Sequence, residues 1–587
     1  MGKLTIFNVL LEIWELISQS KKYKIFLLLV LMIISSLAEV VSIGAVIPFL
    51  GIITSSDNVL NNTYIINFKK YYDINNLEDI KFLITTLFCL IAIIAGVLRL
   101  ILVWAQNRLS HLIGAEFSCE MYRRTLYQPY SVHVSRNSSE VINGVFTKAN
   151  AVVGHAIMPI LNIINSVIMV ISILITLILI EPVVACLSVL SFTSIYVILA
   201  LITQLRLKKY SEVISTETSN VLKTLQEGLG GIRDVLLDSS QETYIEIYKK
   251  SDRPLRRAYA NSQIIGACPR YGIEALGMVL IALIAFSLSG NKNDSYEIIP
   301  VLGSLALGAQ KLLPIIQQAY ASWSHMCSGE DMLKDVILYM KQKMPSFNLD
   351  DDNLKFEKTI KFEKINFKYS NSSPKVLNDF SLIINKGDRI GLIGHTGSGK
   401  STILDIVMGL LYPNNGDLSV DDVKINNKNM VYWQKKIAHV PQTVFLADSS
   451  IVENIAFGIK QTEIDLNKIN TALKSAQLYD FVHSLPKGLD TFVGERGVRL
   501  SGGQRQRIGI ARALYKEAEV IIFDEATSAL DSETEMLVMN SIESLDKTLT
   551  IILVAHRVTT LKGCNKIIDI ENGNLKRSGS YFEMVNI

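Results

Sequence analysis

The sequence predicts a multidomain membrane protein, in which an all-α domain of six transmembrane helices is followed by an α/β domain built around a glycine-rich loop. The chain has 587 residues, which is too long for a single hydrophobic core. With 49% hydrophobic and 19% charged residues and a mean hydropathy of +0.30, it is more apolar than an ordinary soluble protein. In its second half, a glycine-rich stretch ending in Lys400 and Ser401 separates a strand-like run from a helix-like run.

The chain divides into four segments. Residues 1–24 form an amphipathic segment, because charged side chains interrupt its apolar residues, and we expect it to lie on the membrane surface rather than to be a cleaved signal. The transmembrane domain occupies residues 25–340. Residues 341–353, which include an acidic run, form a linker. The α/β domain occupies residues 354–587.

Six apolar stretches are long enough to cross a membrane, since about 20 helical residues span the hydrocarbon core. An even number of crossings places both ends of the predicted domain on the same side. The stretches are residues 25–53, 82–104, 156–180, 183–205, 272–288 and 298–322.

Basic residues place the long connections in the cytoplasm. Residues 206–257 carry ten lysines and arginines, whereas the link at 181–182 has none. Helical periodicity continues through 207–225, so about 20 residues would carry the helices about 30 Å beyond the bilayer. We expect the chain to reverse near Pro129 and near Gly228, through short transverse helices that dock on the cytosolic domain. Plain surface loops are the alternative.

Four charged residues lie within or beside the apolar stretches, where an ionised group costs several kcal/mol unless it faces a partner or water. Arg270 and Glu274 are spaced to pair with each other. Arg99 and Lys311 have no such neighbour and suggest a cationic lining for an anionic substrate. Pairing between helices, or extension of the side chains toward the membrane surface, is the competing interpretation.

The glycine-rich stretch has the pattern of a phosphate-binding loop. Its glycines let backbone N–H groups converge on phosphate oxygens, and the helix that follows adds a positive dipole. Lys400 would reach the outer phosphates, and the Ser401 hydroxyl would take a place on Mg²⁺. The loop consists of Gly394, His395, Thr396, Gly397, Ser398, Gly399, Lys400 and Ser401.

Two carboxylates follow an apolar strand at 520–523. Asp524 suits the shell of Mg²⁺, and Glu525 could polarise the attacking water as a general base. A solvated strand end is the alternative.

A second phosphate-binding pattern precedes the predicted helix at 505–515. One nucleotide cannot easily use both patterns from the same chain. We therefore predict a head-to-tail homodimer, in which each nucleotide lies between Lys400 of one copy and Ser501 of the other. The second pattern consists of Ser501, Gly502, Gly503 and Gln504.

Cysteine spacing and net charge give no indication of a metal site, a disulfide scaffold or a nucleic-acid partner. The six cysteines are scattered singly, without metal-ligand or secreted-scaffold spacing, and we interpret them as free thiols. The net charge of +3 gives no indication of a nucleic-acid partner.

In order and type, these motifs resemble the nucleotide-binding domain of ABC transporters, and six spans followed by this domain resemble the exporter half-transporter plan, the type IV ABC exporter fold. The resemblance implies ATP and Mg²⁺ as ligands. It implies that Tyr369 stacks on adenine, that Thr402 joins the nucleotide site, that Gln442 senses Mg²⁺ and that His556 contacts the γ-phosphate. The motifs are Gly394–Ser401, Gln442, Leu500–Gln504, Asp524-Glu525, 528–531 and His556.

Within this family, residues 267–274 and 310–314 resemble the PglK-type flippases of polyisoprenoid-diphosphate oligosaccharides. Arg99, Arg270 and Lys311 fall at comparable places and would suit a pyrophosphate. The long outer loop at 55–79 would fit as a surface element that engages the lipid tail, although a tethering loop is the simpler interpretation.

The leading hypothesis is therefore a homodimeric ABC transporter of a bacterial inner membrane, with its nucleotide-binding domain in the cytoplasm. It would move an anionic, lipid-linked glycan from the cytoplasmic to the outer leaflet. An exporter of another lipid, a drug or a peptide is the alternative within the family. An ATP-gated channel or regulator is the alternative of another class, and the intact Glu525 disfavours it.

Overall fold

The computed structural model describes two compact units. One comprises Met1–Gln128 and Ser135–Met344, and the other Pro129–Val134 and Pro345–Ile587. The residues described are 6–46, 49, 77–180, 182–275, 278–279, 282, 295–344, 354–370, 372–526, 531–543, 548–555 and 558–585.

The first unit is helical. Two π-helical segments, Asn143–Lys148 and Val153–Ile157, interrupt the third long helix without ending it. The α-helices are α1 (Ile6–Leu16), α2 (Gln19–Gly44), α3 (Leu77–Leu126), α4 (Tyr130–Ser135, mostly in the second unit), α5 (Ser138–Ile142), α6 (Ala149–Val152), α7 (Met158–Ile180), α8 (Pro182–Gly230), α9 (Ile232–Leu237), α10 (Gln241–Ala267), α11 (Ser295–Ser328) and α12 (Glu330–Met340).

Three described helical stretches, Gln19–Gly44, Lys81–Leu126 and Ser138–Thr176, are long and apolar enough to cross a membrane. They match the first three predicted spans. Helices α8 and α11 contain the fourth and sixth, whereas most of the predicted fifth span and of the outer loop lies outside the described residues. The core of the unit joins α1, α2, α3 and α12 through residues such as Ile13, Met32, Ile113 and Val336, each at most 1% exposed.

The predicted helical extensions are confirmed. Helix α3 has 50 residues and α8 has 49, so each is about 75 Å long, far more than the bilayer requires. The chain reverses where predicted: α4 begins just after Pro129, and α9 begins just after Gly231. Residues Pro129–Val134 are grouped with the compact unit that contains the α/β domain.

The second unit contains two sheets together with α-helices, which confirms the predicted α/β domain. A four-stranded antiparallel sheet has the order β2-β1-β4-β5, and a six-stranded sheet has the order β10-β9-β3-β8-β7-β6, parallel except for β10. The strands are β1 (Thr359–Phe367), β2 (Leu377–Asn385), β3 (Arg389–Ile393), β4 (Asn415–Val420), β5 (Val423–Lys424), β6 (Ile437–Val440), β7 (Val520–Asp524), β8 (Thr550–Val554), β9 (Lys566–Glu571) and β10 (Asn574–Gly579).

Helices cover both faces of the parallel sheet, which is why β7 and β8 are apolar almost throughout rather than alternating. One core contains Leu473 and Ile508, and the other contains Phe362 and Trp433. The α-helices of this unit are α13 (Lys400–Val407), α14 (Met430–Lys435), α15 (Ile451–Ile455), α16 (Leu466–Ser475), α17 (Tyr479–Ser484), α18 (Gly502–Tyr515), α19 (Ser532–Glu543) and α20 (Tyr581–Val585).

Candidate nucleotide-binding site

The glycine-rich loop joins β3 to α13, as predicted. Gly394, Gly397 and Gly399 have φ angles of +148°, +83° and +106°, a region that other residues rarely adopt. A Cβ at Gly394 would overlap the backbone carbonyl of Ile570, and it would lie 2.7 Å from the Ser398 hydroxyl. Glycine is therefore required at 394 both for its conformation and for its close approach to β9.

The polar groups of the loop fit an anion. The Lys400 side chain is only 9% exposed, and its Nζ donates hydrogen bonds to the carbonyl oxygens of Gly394 at 2.7 Å and His395 at 3.0 Å. The Ser398 hydroxyl is buried and has no hydrogen-bond partner among the described residues. A phosphate oxygen bound here could accept a hydrogen bond from the unpaired Ser398 hydroxyl and pair with the Lys400 ammonium group.

Tyr369 lies beside this loop. Its hydroxyl is 3.1 Å from the Thr402 hydroxyl on α13, and its ring meets Phe367 edge-on at a centroid distance of 5.0 Å. The tyrosine remains 54% exposed, so much of its surface stays open to a planar ligand.

The two carboxylates lie at the same edge of the sheet as the loop. In the parallel register, Val554 of β8 is aligned with Leu392 of β3 on one side and with Asp524 of β7 on the other. Asp524 is therefore about 10 Å, or two strand spacings, from Leu392, which lies two residues before the loop. This neighbourhood follows from the topology, because the carboxyl ends of parallel strands share one edge.

Glu525 is positioned by a backbone hydrogen bond to Val554 and by a side-chain hydrogen bond from Gln442. Its φ angle is +51°, and its N–H donates to the carbonyl of Val554 at 3.0 Å. Gln442 follows β6, and its side-chain amide donates a hydrogen bond to the Glu525 carboxylate at 2.6 Å. The structure thus brings together two residues that are 83 positions apart in the sequence.

The sequence analysis did not single out Asp405, a half-buried carboxyl on α13. Burial raises the pKa of its carboxyl to about 6, and the charge of Asp524 contributes in the same direction. Burial and the charge of Glu525 likewise raise the pKa of Asp524, while Lys400 opposes the shift. The sequence does contain one signal for Asp405. It lies four residues after Ser401, which places the two residues on the same face of α13.

We expect Asp405→Asn to stabilise the ligand-free protein at pH 7.5 by about 1 kcal/mol, a value that allows for solvent screening of this partly exposed carboxyl. The pKa of Asp405 is raised from 3.8 to about 6, so the folded chain binds more protons than the unfolded chain between those values. Stability therefore falls as the pH rises through that window, and the advantage of asparagine should shrink toward pH 4.

The measurement is the thermal midpoint of the purified chain in detergent without nucleotide or Mg²⁺, compared between pH 4 and pH 7.5. Asp480→Asn, which neutralises an exposed carboxylate of the same domain, is the matched control. An Asp405→Asn effect that does not change with pH would contradict the explanation.

Three residues of the site are predicted to bind Mg²⁺ together with the nucleotide. No group of three or more His, Cys, Asp or Glu side chains suited to a metal occurs within the described residues. Mg²⁺ commonly takes one or two carboxylates together with phosphate oxygens and water. Asp524, Ser401 and Gln442 fit that smaller ligand set.

Ser501 lies at the start of α18 and forms a capping box. Its hydroxyl accepts from the Gln504 N–H at 3.2 Å, and the Gln504 side-chain oxygen accepts from the Ser501 N–H at 2.8 Å. Ser501 is exposed, and no hydrogen bond or ion pair between described residues joins 501–504 to 394–401. The structure therefore does not bring the two phosphate-binding patterns together in one chain. His556 and residues 528–530 lie outside the described residues.

The predicted substrate residues differ in their surroundings. Arg99 is exposed on α3 and makes no ion pair with any described residue. Arg270 pairs with Glu274, Nε to Oε1 at 2.7 Å, so its charge is locally compensated. Lys311 belongs to α11, and its side chain lies outside the described part of the structure.

Comparisons with known proteins agree with this architecture. Residues 24–306 match the family model of the ABC transporter transmembrane region, and residues 377–528 match that of the ABC transporter. A solved structure of a bacterial Atm1-family ABC exporter with ATP bound superposes with a TM-score of 0.79, covering 97% of this chain and 96% of that chain at 20% identity, which shows the type IV exporter fold.

Among curated relatives, the mouse (Mus musculus) ATP-binding cassette sub-family B member 10, mitochondrial, is 30% identical over 66% of this chain and 55% of its own length. The ATP-dependent lipid A-core flippase of Pseudoalteromonas translucida is 28% identical over 79% of this chain and 80% of its own length. The alpha-hemolysin translocation ATP-binding protein HlyB of Escherichia coli O157:H7 is 27% identical over 94% of this chain and 76% of its own length. The chain therefore belongs to the ABC transporter family, as an ATP-driven, multi-pass membrane exporter that joins a transmembrane domain to a nucleotide-binding domain.

Proposed function

We propose that two copies of this chain form a homodimer that hydrolyses ATP to move an anionic lipid-linked glycan, such as a polyisoprenoid-diphosphate oligosaccharide, from the cytoplasmic to the outer leaflet of a bacterial inner membrane. Arg99 carries the substrate part of this proposal. It is an exposed guanidinium in an apolar helix, and it makes no ion pair with a described residue. Such a charge needs water or an anion, and a guanidinium binds phosphate oxygens in pairs.

Two further points support an anionic lipid. Relatives aligned over most of their length are named lipid A-core flippases, which indicates a lipid as the transported class. Lys311 would add a second cation from α11, although Arg270, paired with Glu274, would contribute less. The substrate charge would therefore be balanced mainly by Arg99 and Lys311.

At the nucleotide site, each residue would act on a particular part of ATP. Tyr369 would stack on adenine, and residues 394–402 would hold the phosphates. Glu525 would accept the proton of the attacking water, with Gln442 fixing the carboxylate and His556 contacting the γ-phosphate. Bound Mg²⁺ would neutralise charge on the phosphate oxygens. Residues 501–504 of the second copy would close the site.

A protein or peptide exporter is the second candidate function. The alignment with HlyB covers 94% of this chain, more than the alignments with the lipid A-core flippases of Pseudoalteromonas and Burkholderia. Because Arg270 is paired with Glu274, its charge does not require an anionic substrate, which is also compatible with a polypeptide.

Proteoliposomes that contain a fluorescent polyisoprenoid-diphosphate glycan test the substrate. We expect ATP-dependent movement of this lipid, measured by its loss of access to a membrane-impermeant quencher, to fall about tenfold or more in Arg99→Gln with Lys311→Gln, because two cations near the diphosphate are lost. ATP hydrolysis should persist in that variant. Arg123→Gln, a neutralisation of an exposed residue at the end of the same helix, is the matched control.

Unchanged transport in the double variant would contradict the role of these cations. Transport of a polypeptide but not of the glycolipid would favour the second candidate. Sustained ion conductance without lipid movement would instead indicate a channel.

A further inference from the structure

A groove with an apolar floor and two cations lies between α2 and α3, apart from the nucleotide site and from Arg99. Its volume is about 300 Å³. It is lined by Lys24, Leu27, Leu28, Leu31, Trp104, Ala105, Arg108, Leu109 and Leu112.

The two cations lie at one membrane boundary. Lys24 immediately precedes the apolar residues of α2, and Arg108 follows the apolar run of α3 that ends at Trp104. Successive transmembrane helices run in opposite directions, so the start of α2 and the end of the α3 run are level. The basic connections place this boundary on the cytoplasmic side. Trp104, which is 61% exposed, is a residue type that concentrates at such boundaries.

Neither cation is neutralised within the described residues, since Lys24 and Arg108 are exposed and make no ion pair there. The Arg108 guanidinium lies over the Trp104 ring at 5.4 Å from its centroid, which orients the group at the mouth of the groove. Below the mouth, Leu27 is 50% exposed, so an apolar surface faces the hydrocarbon region next to two charges.

We propose that this groove binds an anionic phospholipid of the cytoplasmic leaflet, with its phosphate between Lys24 and Arg108 and an acyl chain along Leu27 and Leu31. Charge complementarity favours an anionic headgroup, and the adjoining leucines favour a lipid over a free phosphate ion.

The site is separate from the proposed substrate path. Arg99 and Arg108 belong to the same helix and are nine residues apart, so they are about 14 Å apart along its axis and point to opposite sides. The groove is therefore a site for a lipid of the surrounding membrane rather than part of the proposed cation lining, and it does not rest on the proposed cargo.

The test uses the full chain reconstituted in a mixture of phosphatidylglycerol and phosphatidylcholine, with retained lipids counted by native mass spectrometry. We expect the wild-type protein to retain phosphatidylglycerol preferentially. Lys24→Gln and Arg108→Gln should each lower that preference about fivefold, since each basic residue near an anionic surface contributes about that factor. The exchanges Lys24→Arg and Arg108→Lys should retain it.

Two controls separate a groove from general surface charge. Arg123→Gln removes the same charge from the same helix outside the groove and should leave the preference unchanged. Leu27→Trp fills the groove without changing its charge and should lower the amount of phosphatidylglycerol retained. A double glutamine variant that keeps the full preference, an equal loss in Arg123→Gln, or no effect of Leu27→Trp would each overturn the proposal.

Discussion

Replacing Glu525 with glutamine is expected to lower the steady-state rate of ATP hydrolysis by about a hundredfold to a thousandfold, which lies within the range that a general base contributes to proton transfer. The exchange is nearly isosteric, and a glutamine oxygen can still accept the hydrogen bond that the Gln442 amide donates at 2.6 Å. The backbone bond to Val554 is also unaffected. Geometry should therefore persist while the proton acceptor is lost.

Nucleotide binding distinguishes this loss from simple unfolding. Glu525→Gln should bind ATP with unchanged or higher affinity, because Lys400 and the glycine loop remain in place, and it should accumulate trapped ATP. Phosphate release and equilibrium ATP binding should be measured on the same preparation. Glu463→Gln, an exposed carboxylate elsewhere in the domain, serves as the control. Hydrolysis within a few-fold of wild type in Glu525→Gln would rule out Glu525 as the base.

The parts of this site that sequence predicts are those fixed by local order and by sheet topology. The loop that contains Gly394 and Gly399 directly follows a strand and directly precedes a helix. Its phosphate-binding role can therefore be predicted without tertiary information. Asp524 and Glu525 could be assigned a role beside the loop because the sequence has both at the end of an apolar strand. The fold class was predictable for the same reason, since long apolar stretches and alternating strand and helix patterns are local signals.

Contacts between distant side chains were not predictable. The hydrogen bond between Gln442 and Glu525 depends on β6 pairing with β7, and the burial that raises the pKa of Asp405 depends on how α13 packs on the sheet. The first π-helical segment makes such contacts with α12: Gly144 lies against the Tyr339 ring, and Lys148 is buried in an ion pair with Asp335 at 2.7 Å. No short-range pattern specifies such partners.

The environment of Arg270 could not be predicted from the positions of charged residues alone. Its spacing from Glu274 allowed either a local pair or a contribution to a cationic lining, and both were consistent with the sequence. The structure has the local pair. Arg99 has no acidic residue at the same spacing, so the same reasoning left it available for a substrate, and its exposure agrees with that interpretation.

The second large effect tests whether two copies share each nucleotide. Lys400→Ala and Ser501→Arg are each expected to abolish ATP trapping in a homodimer, the first by removing the phosphate-binding ammonium group and the second by blocking the start of α18. If each site combines 394–401 of one copy with 501–504 of the other, a mixed dimer of the two variants has one site with both defects and one intact site. It should trap about half as many nucleotides as the wild type, by the symmetry of the pairing.

Co-expression with two different affinity tags isolates the mixed dimer, and the readout is trapped radiolabelled ATP in the background of Glu525→Gln. A site formed within one chain predicts the opposite result, because each chain of the mixed dimer would then carry a defect in its own site and no ATP would be trapped. The capping box of Ser501 explains why a folding control is needed, since losing this cap costs about 1 kcal/mol. Ser501→Gly, which largely preserves the helix start and adds no bulk, should trap more ATP than Ser501→Arg as a homodimer. Absence of trapping in the mixed dimer, with both variants folded, would contradict the shared site and with it the head-to-tail homodimer.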